Sequence, residues 1–173
     1  DLTILPVGED GRLDLELLER ELDDRTLLVA VMLVNNEIGV LQPVTQIAEM
    51  AHGVGALMLC DAVQGLGRVR IPDGPDLVAV SAHKIHGPKG IGALWMREGC
   101  EPAPLIHGGG QERGMRSGTE NVPGWVGLGC AAELARRGAG ELPRIAALRD
   151  RLEETIFAAL PSSHDAIDAL DRL

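Results

Sequence analysis

The sequence predicts an α/β fold: three layers, with a mainly parallel sheet flanked by helices. Three short apolar runs end abruptly in polar residues, at positions 26–34, 56–60 and 77–81. Continuous apolar runs of this length are typical of strands buried on both faces of a parallel sheet. A helix predicted over residues 43–52 separates the first two runs. Strand, helix and strand in succession indicate a βαβ crossover, which makes the two strands parallel.

The first 25 residues predict a short strand over residues 1–6, a turn at residues 9–11 and a helix over residues 13–22. The helix is expected because leucines recur on one stripe with acidic residues between them. The helix over residues 43–52 carries clear boundary signals, since Pro43 suits a first helical turn and Gly53 follows the last residue.

After the third apolar run, residues 87–90 (GPKG) predict a tight turn, and residues 91–96 predict a further strand. A linker at residues 101–104 leads into a polar, glycine-rich segment, residues 107–119, which we expect to be an ordered functional loop. The remaining periodicity predicts two helices, over residues 122–137 and 142–160.

Composition excludes several classes of function. The length of 173 residues suits one domain or part of a larger one. The formal charge of −10 argues against nucleic acid or an anionic membrane surface as a partner. No apolar run approaches the roughly 20 residues that span a bilayer. The residues after Asp1 show no basic segment followed by an apolar one, so we expect no signal peptide in this sequence.

The three cysteines, Cys60, Cys100 and Cys130, lie far apart and form no C-x-x-C pair. This spacing predicts neither a metal site nor a disulfide framework, and it favours a reducing, cytoplasmic setting. Each cysteine is expected to behave as a small apolar residue rather than as a nucleophile.

Polar side chains follow the ends of all three apolar runs: Asn36, Asp61 and Lys84. In open parallel sheets, ligands bind beyond the carboxyl ends of the strands. An amide, a carboxylate and an amine that leave three strands at such ends therefore predict a shared site.

We interpret this site as one for pyridoxal phosphate. Lys84 would hold the cofactor as a Schiff base, and Asp61 would keep the pyridine nitrogen protonated so that the ring can accept electrons. Suitable donors for the rest of the cofactor lie close in sequence: Asn36 and Gln64 for the ring oxygen, Ser81 and His83 for the phosphate.

Each of these residues also has a simpler interpretation. Lys84 would fit a surface position in a hairpin loop. Asp61 would fit the N-cap of the turn that follows it, and Asn36 would fit a turn.

Four motifs occur in a fixed order: NNEIG at residues 35–39, DAVQ at 61–64, SAHKIHGPKG at 81–90 and GGGQERGMRSGT at 108–119. Together they resemble the class V aminotransferase superfamily, and within it the NifS/IscS-type cysteine desulfurases. The resemblance extends from about residue 2 to about residue 160. It implies the fold type I of pyridoxal-phosphate-dependent transferases, with residues 1–160 as an incomplete large domain and residues 161–173 as a tail.

The resemblance implies a reaction and partners. L-cysteine would be converted to L-alanine, and sulfur would pass as a persulfide to an acceptor such as an iron–sulfur scaffold protein. Lys84, Asp61 and the other residues of the site would have the roles given above. Thr119 is similar to the residue that reaches the phosphate of the partner subunit's cofactor, which implies a homodimer.

The chain also departs from this family. Family members are more than twice as long, and none of the three cysteines matches the catalytic one, so we expect the isolated chain to be inactive. Two alternatives remain open at this point: a non-catalytic remnant or dimerisation module, and another class V enzyme such as a selenocysteine lyase or a transaminase.

Overall fold

The computed structural model describes residues 1–159, and the chain divides into two compact units after Arg136. The first unit contains a four-stranded sheet in the order β1-β2-β3-β4 and most of the helices. The elements are α1 (Leu15–Glu21), β1 (Leu28–Met32), α2 (Val44–Gly53), β2 (Leu57–Asp61), β3 (Leu77–Ser81), β4 (Gly92–Met96), α3 (Val122–Gly138) and α4 (Leu142–Ala159). Short 3₁₀ turns span Ala82–Ile85, Glu112–Gly114 and Ala139–Glu141.

The sheet is mixed, with two parallel pairings and one antiparallel pairing. Strand β1 runs parallel to β2, with Met32 opposite Asp61, and β2 runs parallel to β3. Strand β4 returns antiparallel to β3, with Ser81 opposite Gly92. The predicted fold class, a mainly parallel sheet flanked by helices, is confirmed.

The core lies between α2 and one face of the sheet. Helix α2 buries a stripe at helical spacing that includes Ile47 and Ala51. This stripe packs against Met58 and Cys60 of β2, both of which are 0% exposed. Burial of each large side chain contributes roughly 1.5–3 kcal/mol, so this layer holds the strands in place.

The opposite face of the sheet is only partly covered within the described residues. Leu28, Leu57 and Leu94 lie on it and are 46%, 41% and 47% exposed. The expectation that the first apolar run is buried on both faces is therefore wrong, because the helices that pack on β1 cover only the face of Val29.

Two other predicted elements differ from the structure. Residues 1–6 form no strand, and only Val7 makes an isolated antiparallel bridge to Leu13. Helix α1 begins at Leu15 because the Asp14 carboxylate accepts hydrogen bonds from two amides of its first turn. The predicted tail, residues 161–173, lies outside the described residues.

A buried carboxylate, Asp76, fastens the amino end of β3 to its surroundings. Asp76 is 4% exposed, and its Oδ2 accepts a hydrogen bond of 2.7 Å from the Met58 amide. The same oxygen lies 2.8 Å from His52 Nε2, and Oδ1 lies 3.2 Å from Arg97 Nη1. One side chain thus links α2, β2 and the end of β4.

Burial alone would raise the pKa of Asp76. The hydrogen bonds from His52 and Met58, together with the charges of His52 and Arg97, outweigh that effect and hold the pKa below its ordinary value of 3.8. A carboxylate with a lowered folded-state pKa stabilises the fold above its unfolded-state pKa. That stabilisation is lost as the pH falls through the unfolded value towards the folded one.

We therefore expect Asp76→Asn to lower the free energy of unfolding by about 2 kcal/mol at neutral pH, because it leaves the Arg97 guanidinium and the His52 ring without their carboxylate partner. The variant should also lose less stability in acid than the wild type does. Urea unfolding across a pH series measures both effects. Asp73→Asn is the matched control, since Asp73 forms an exposed pair with Arg70. Equal acid sensitivity in Asp76→Asn and wild type would contradict this account.

Cys60 lies in the core, in strand β2. Its neighbour in the strand, Asp61, faces the other side of the sheet because side chains alternate along a strand. Burial, with a smaller contribution from the charge of Asp61, raises the pKa of the Cys60 thiol to about 11. A buried thiol with a raised pKa is a poor nucleophile.

Alkylation of the folded chain at neutral pH should therefore modify Cys130, which is exposed, long before Cys60. Peptide mass mapping after a time course of iodoacetamide treatment measures the two rates, and treatment in urea provides the control in which they converge. Labelling of Cys60 in the folded chain as fast as Cys130 would show that its burial is wrong.

Candidate functional site

The carboxyl ends of β1, β2 and β3 lie side by side at one edge of the sheet. The Leu33 amide donates a hydrogen bond of 2.8 Å to the Asp61 carbonyl, just past the end of β1. The Ala62 amide donates one of 2.9 Å to the Ala79 carbonyl. The parallel pairing therefore brings the segments that carry the predicted site residues to a common edge.

Lys84 lies in the 3₁₀ turn that directly follows β3. Ala82 and Ile85, also in this turn, are buried, which fixes the backbone while the lysine side chain remains half-buried. The turn ends at His86, which adopts a left-handed conformation. Among residues 1–159, the Lys84 amine has no hydrogen-bond or ion-pair partner.

Asp61 ends β2 and lies on the open face of the sheet. Its Oδ1 accepts a hydrogen bond of 2.9 Å from the Val63 amide, so the turn-capping interpretation is correct for one oxygen. The other oxygen has no partner within the described residues. Asp61 also forms no ion pair with Lys84, so the part of the chain that the structure describes leaves both the carboxylate and the amine without an oppositely charged partner.

Asn35 and Asn36 make different hydrogen bonds in the turn after β1. Asn35 makes the turn, since its Oδ1 accepts from the amides of Glu37 and Ile38. Asn36 is exposed, and its side-chain amide donates to the Glu37 carboxylate over 2.6 Å. Asn36 therefore lies in a turn, as the simpler interpretation expects. The side chain that closes this turn is that of Asn35.

Three further predicted residues lie at the same edge. Gln64 is half-buried in the turn after β2, and its side chain makes no hydrogen bond within residues 1–159. Ser81 Oγ and His83 Nδ1 share a hydrogen bond of 2.7 Å. When the hydroxyl donates to Nδ1, the ring proton lies on Nε2, which then faces solvent as a donor.

Thr119 is exposed and lies three residues before α3. The glycine-rich loop before it is held by Gln111, whose Oε1 accepts from the Gly118 amide over 3.0 Å. Two consecutive residues of this loop, Glu112 and Arg113, adopt the left-handed conformation that non-glycine residues rarely take. The structure shows no hydrogen bond between Thr119 and the residues at the strand ends.

These residues have the chemistry to hold pyridoxal phosphate. Arg68, Lys84 and Lys89 lie in the turns after β2 and β3, and Glu37 lies in the turn after β1. Ser81 and His83 form a donor pair beside Lys84. Within residues 1–159, an unpaired amine, an unpaired carboxylate oxygen and these donors suit an anionic phosphate on a ring with a basic nitrogen. The residue roles themselves remain predictions.

Sequence reasoning missed one residue at this edge, Arg68. Its guanidinium donates hydrogen bonds to the carbonyls of Gln64 and Lys84, over 3.4 and 2.9 Å. No periodicity or spacing identifies such a contact, because the two carbonyls belong to turns after different strands.

Within residues 1–159, no cluster of three or more histidine, cysteine, aspartate or glutamate side chains has a geometry that could hold a metal ion. None of the helices in that part of the chain is long and apolar enough to cross a membrane.

Curated relatives are similar to this chain over nearly its whole length. A cysteine desulfurase of Cereibacter sphaeroides is 52% identical over 172 residues, which is 98% of this chain and 44% of the relative. Another, from Gluconacetobacter diazotrophicus, is 47% identical over 173 residues, which is 96% of this chain and 43% of the relative. The chain thus spans less than half the length of these relatives.

Solved structures share the fold. A structure described as a NifS-like protein aligns with a TM-score of 0.85 and 41% identity, covering 90% of this chain and 44% of that one. The NifS-like protein from Rickettsia africae aligns with a TM-score of 0.80 and 35% identity. The aminotransferase class-V family matches residues 1–168. The resemblance seen in the motifs is confirmed, and the chain belongs to the class V aminotransferase family.

Proposed function

We propose that this chain is the pyridoxal-phosphate-binding part of a cysteine desulfurase. The observation that carries the proposal is the amine of Lys84 at the same sheet edge as one oxygen of Asp61, both without a partner among the residues that the structure describes. Relatives with this name are similar over nearly the whole chain. The substrate would be L-cysteine and the product L-alanine, with sulfur passed on to an acceptor.

Each residue at the edge has one role in this proposal. Lys84 attaches the cofactor covalently, and Asp61 holds a proton on the pyridine nitrogen through its free oxygen. Gln64 and Asn36 donate to the ring oxygen, which requires the Asn36 amide to turn away from Glu37. Ser81 and His83 donate to the phosphate. When bound, pyridoxal phosphate supplies an electron sink for the bonds around the substrate α-carbon.

Release of the substrate's sulfur requires a thiol that attacks it. Cys60 is excluded from this role by its burial and raised pKa. Cys100 follows β4 and Cys130 lies within α3. Neither lies in the turns that follow the carboxyl ends of β1, β2 and β3. We therefore infer that none of these three cysteines is the sulfur carrier.

The assembly in this proposal is a homodimer in the cytoplasm. Thr119, which makes no hydrogen bond to the strand ends of its own chain, would reach the phosphate bound by the partner subunit. The sulfur acceptor would be a protein such as an iron–sulfur scaffold, which receives the persulfide sulfur.

The first experiment tests the attachment site. The chain holds only two lysines, Lys84 and Lys89, so borohydride reduction after incubation with pyridoxal phosphate should label one peptide. We expect Lys84→Ala to abolish the label because it removes the attaching amine. Lys89→Ala is the matched control and should keep it, since Lys89 is exposed in the next turn. Peptide mass mapping locates the label. A label confined to Lys89 would overturn the assigned site.

The second experiment tests the missing thiol. Incubation of the purified chain with pyridoxal phosphate and L-cysteine should release no alanine beyond that of a protein-free control. Amino-acid analysis measures the product. Catalytic release of alanine would show that one of the three cysteines does carry sulfur, while leaving the cofactor site intact.

A further inference from the structure

Arg68 connects the two turns that carry the proposed cofactor residues. Its Nη2 donates a hydrogen bond of 2.9 Å to the carbonyl of Lys84, in the turn after β3. Its Nη1 lies 3.4 Å from the carbonyl of Gln64, in the turn after β2. We propose that Arg68 is a positioning residue, which sets the backbone of Lys84 relative to the turn of Asp61 and Gln64. The proposal rests on the cofactor site proposed above.

The chemistry of the side chain suits this role. A guanidinium presents several donors in a rigid planar fork, so that one group bonds two acceptors at a defined separation. A short 3₁₀ turn leaves carbonyls at its end without partners inside the turn. The Lys84 carbonyl is bonded from outside by Arg68, so the main chain is held while the amine remains free to react.

Arg68 is not a member of an ordinary surface ion pair. Among residues 1–159, its guanidinium lies within 4.0 Å of no carboxylate, although the chain has 26 acidic residues. Arg70, two residues further on, pairs with Asp73 over 3.1 Å. The two arginines are therefore a natural comparison, since only one of them contacts the strand-end turns.

Both turns also rest against α3, which limits how far they can move. A Cβ on Gly67 would lie 2.9 Å from the Cβ of Ala135, and one on Gly87 would lie 3.1 Å from the Cβ of Ala131. Apolar packing of this kind fixes distance but not the alignment of polar groups. The two hydrogen bonds of Arg68 supply that alignment between the turns.

Three variants test the proposal: Arg68→Met, which keeps the apolar stem but removes the donors, Arg68→Lys, which keeps the charge but not the fork, and Arg70→Met as the matched control. Two quantities are measured, the Kd for pyridoxal phosphate and the amide hydrogen exchange of residues 62–67 and 82–87 without cofactor. We expect Arg68→Met to raise the Kd on the order of fivefold, the effect of losing one or two exposed hydrogen bonds. Exchange should accelerate in those two segments only.

The other variants separate positioning from charge. Arg68→Lys should fall between wild type and Arg68→Met in both measurements, and Arg70→Met should match wild type. Unchanged exchange in Arg68→Met overturns the proposal. The proposal is also overturned if Arg68→Lys binds pyridoxal phosphate with the wild-type Kd but exchanges its amides as fast as Arg68→Met. That result would indicate that Arg68 only attracts the anionic cofactor through its charge. Faster exchange throughout the chain would indicate a general structural role and would also overturn it.

Failure of the proposed function gives a different result. If the wild-type chain takes up no pyridoxal phosphate, the cofactor site is wrong and the role of Arg68 towards the cofactor falls with it. The exchange measurement, made without cofactor, then still decides whether Arg68 connects the two turns.

Discussion

The parallel pairing of β1, β2 and β3 is the constraint on which the site depends. Two hydrogen bonds just past the strand ends, from Leu33 to Asp61 and from Ala62 to Ala79, keep the three ends level at one edge. A slip of one residue in β2 would turn Asp61 into the core and Cys60 outwards, because side chains alternate along a strand. The register therefore determines both which thiol is buried and which carboxylate is available.

The fold was predictable because its signals are local. The apolar runs, the Pro43 and Gly53 boundary signals and the helical stripe of α2 each depend on neighbouring residues only. The failure at residues 1–6 has the opposite cause, since an apolar segment becomes a strand only when another strand pairs with it, and Val7 alone finds such a partner. Burial of β1 was overestimated for a related reason, because a run of apolar residues does not reveal how many of its faces are covered.

At the candidate site, the sequence indicates which residue types come together but not the contacts that they make. A lysine, a carboxylate and an amide after three strands point to one edge through the geometry of parallel sheets. The motif NNEIG does not show which asparagine makes the turn, and the structure assigns that role to Asn35. Arg68 gives no signal at all, since a bond to backbone carbonyls places no demand on the identity of the residues it contacts.

Charged side chains are paired at the amino end of β3 and unpaired, within the described residues, at the carboxyl ends of β2 and β3. At the amino end of β3, Asp76 is buried, and each of its oxygens is close to a positively charged or donating partner. This arrangement stabilises the fold, because a buried carboxylate is compensated by its partners. At the carboxyl ends, Lys84 and one oxygen of Asp61 have no partner within the described residues, although an ion pair between them would remove both charges. A partly exposed ion pair would contribute little to stability, so its absence costs the fold little. It leaves an amine and a carboxylate oxygen available at this end of the sheet, and the cofactor site proposed above is inferred from these two groups.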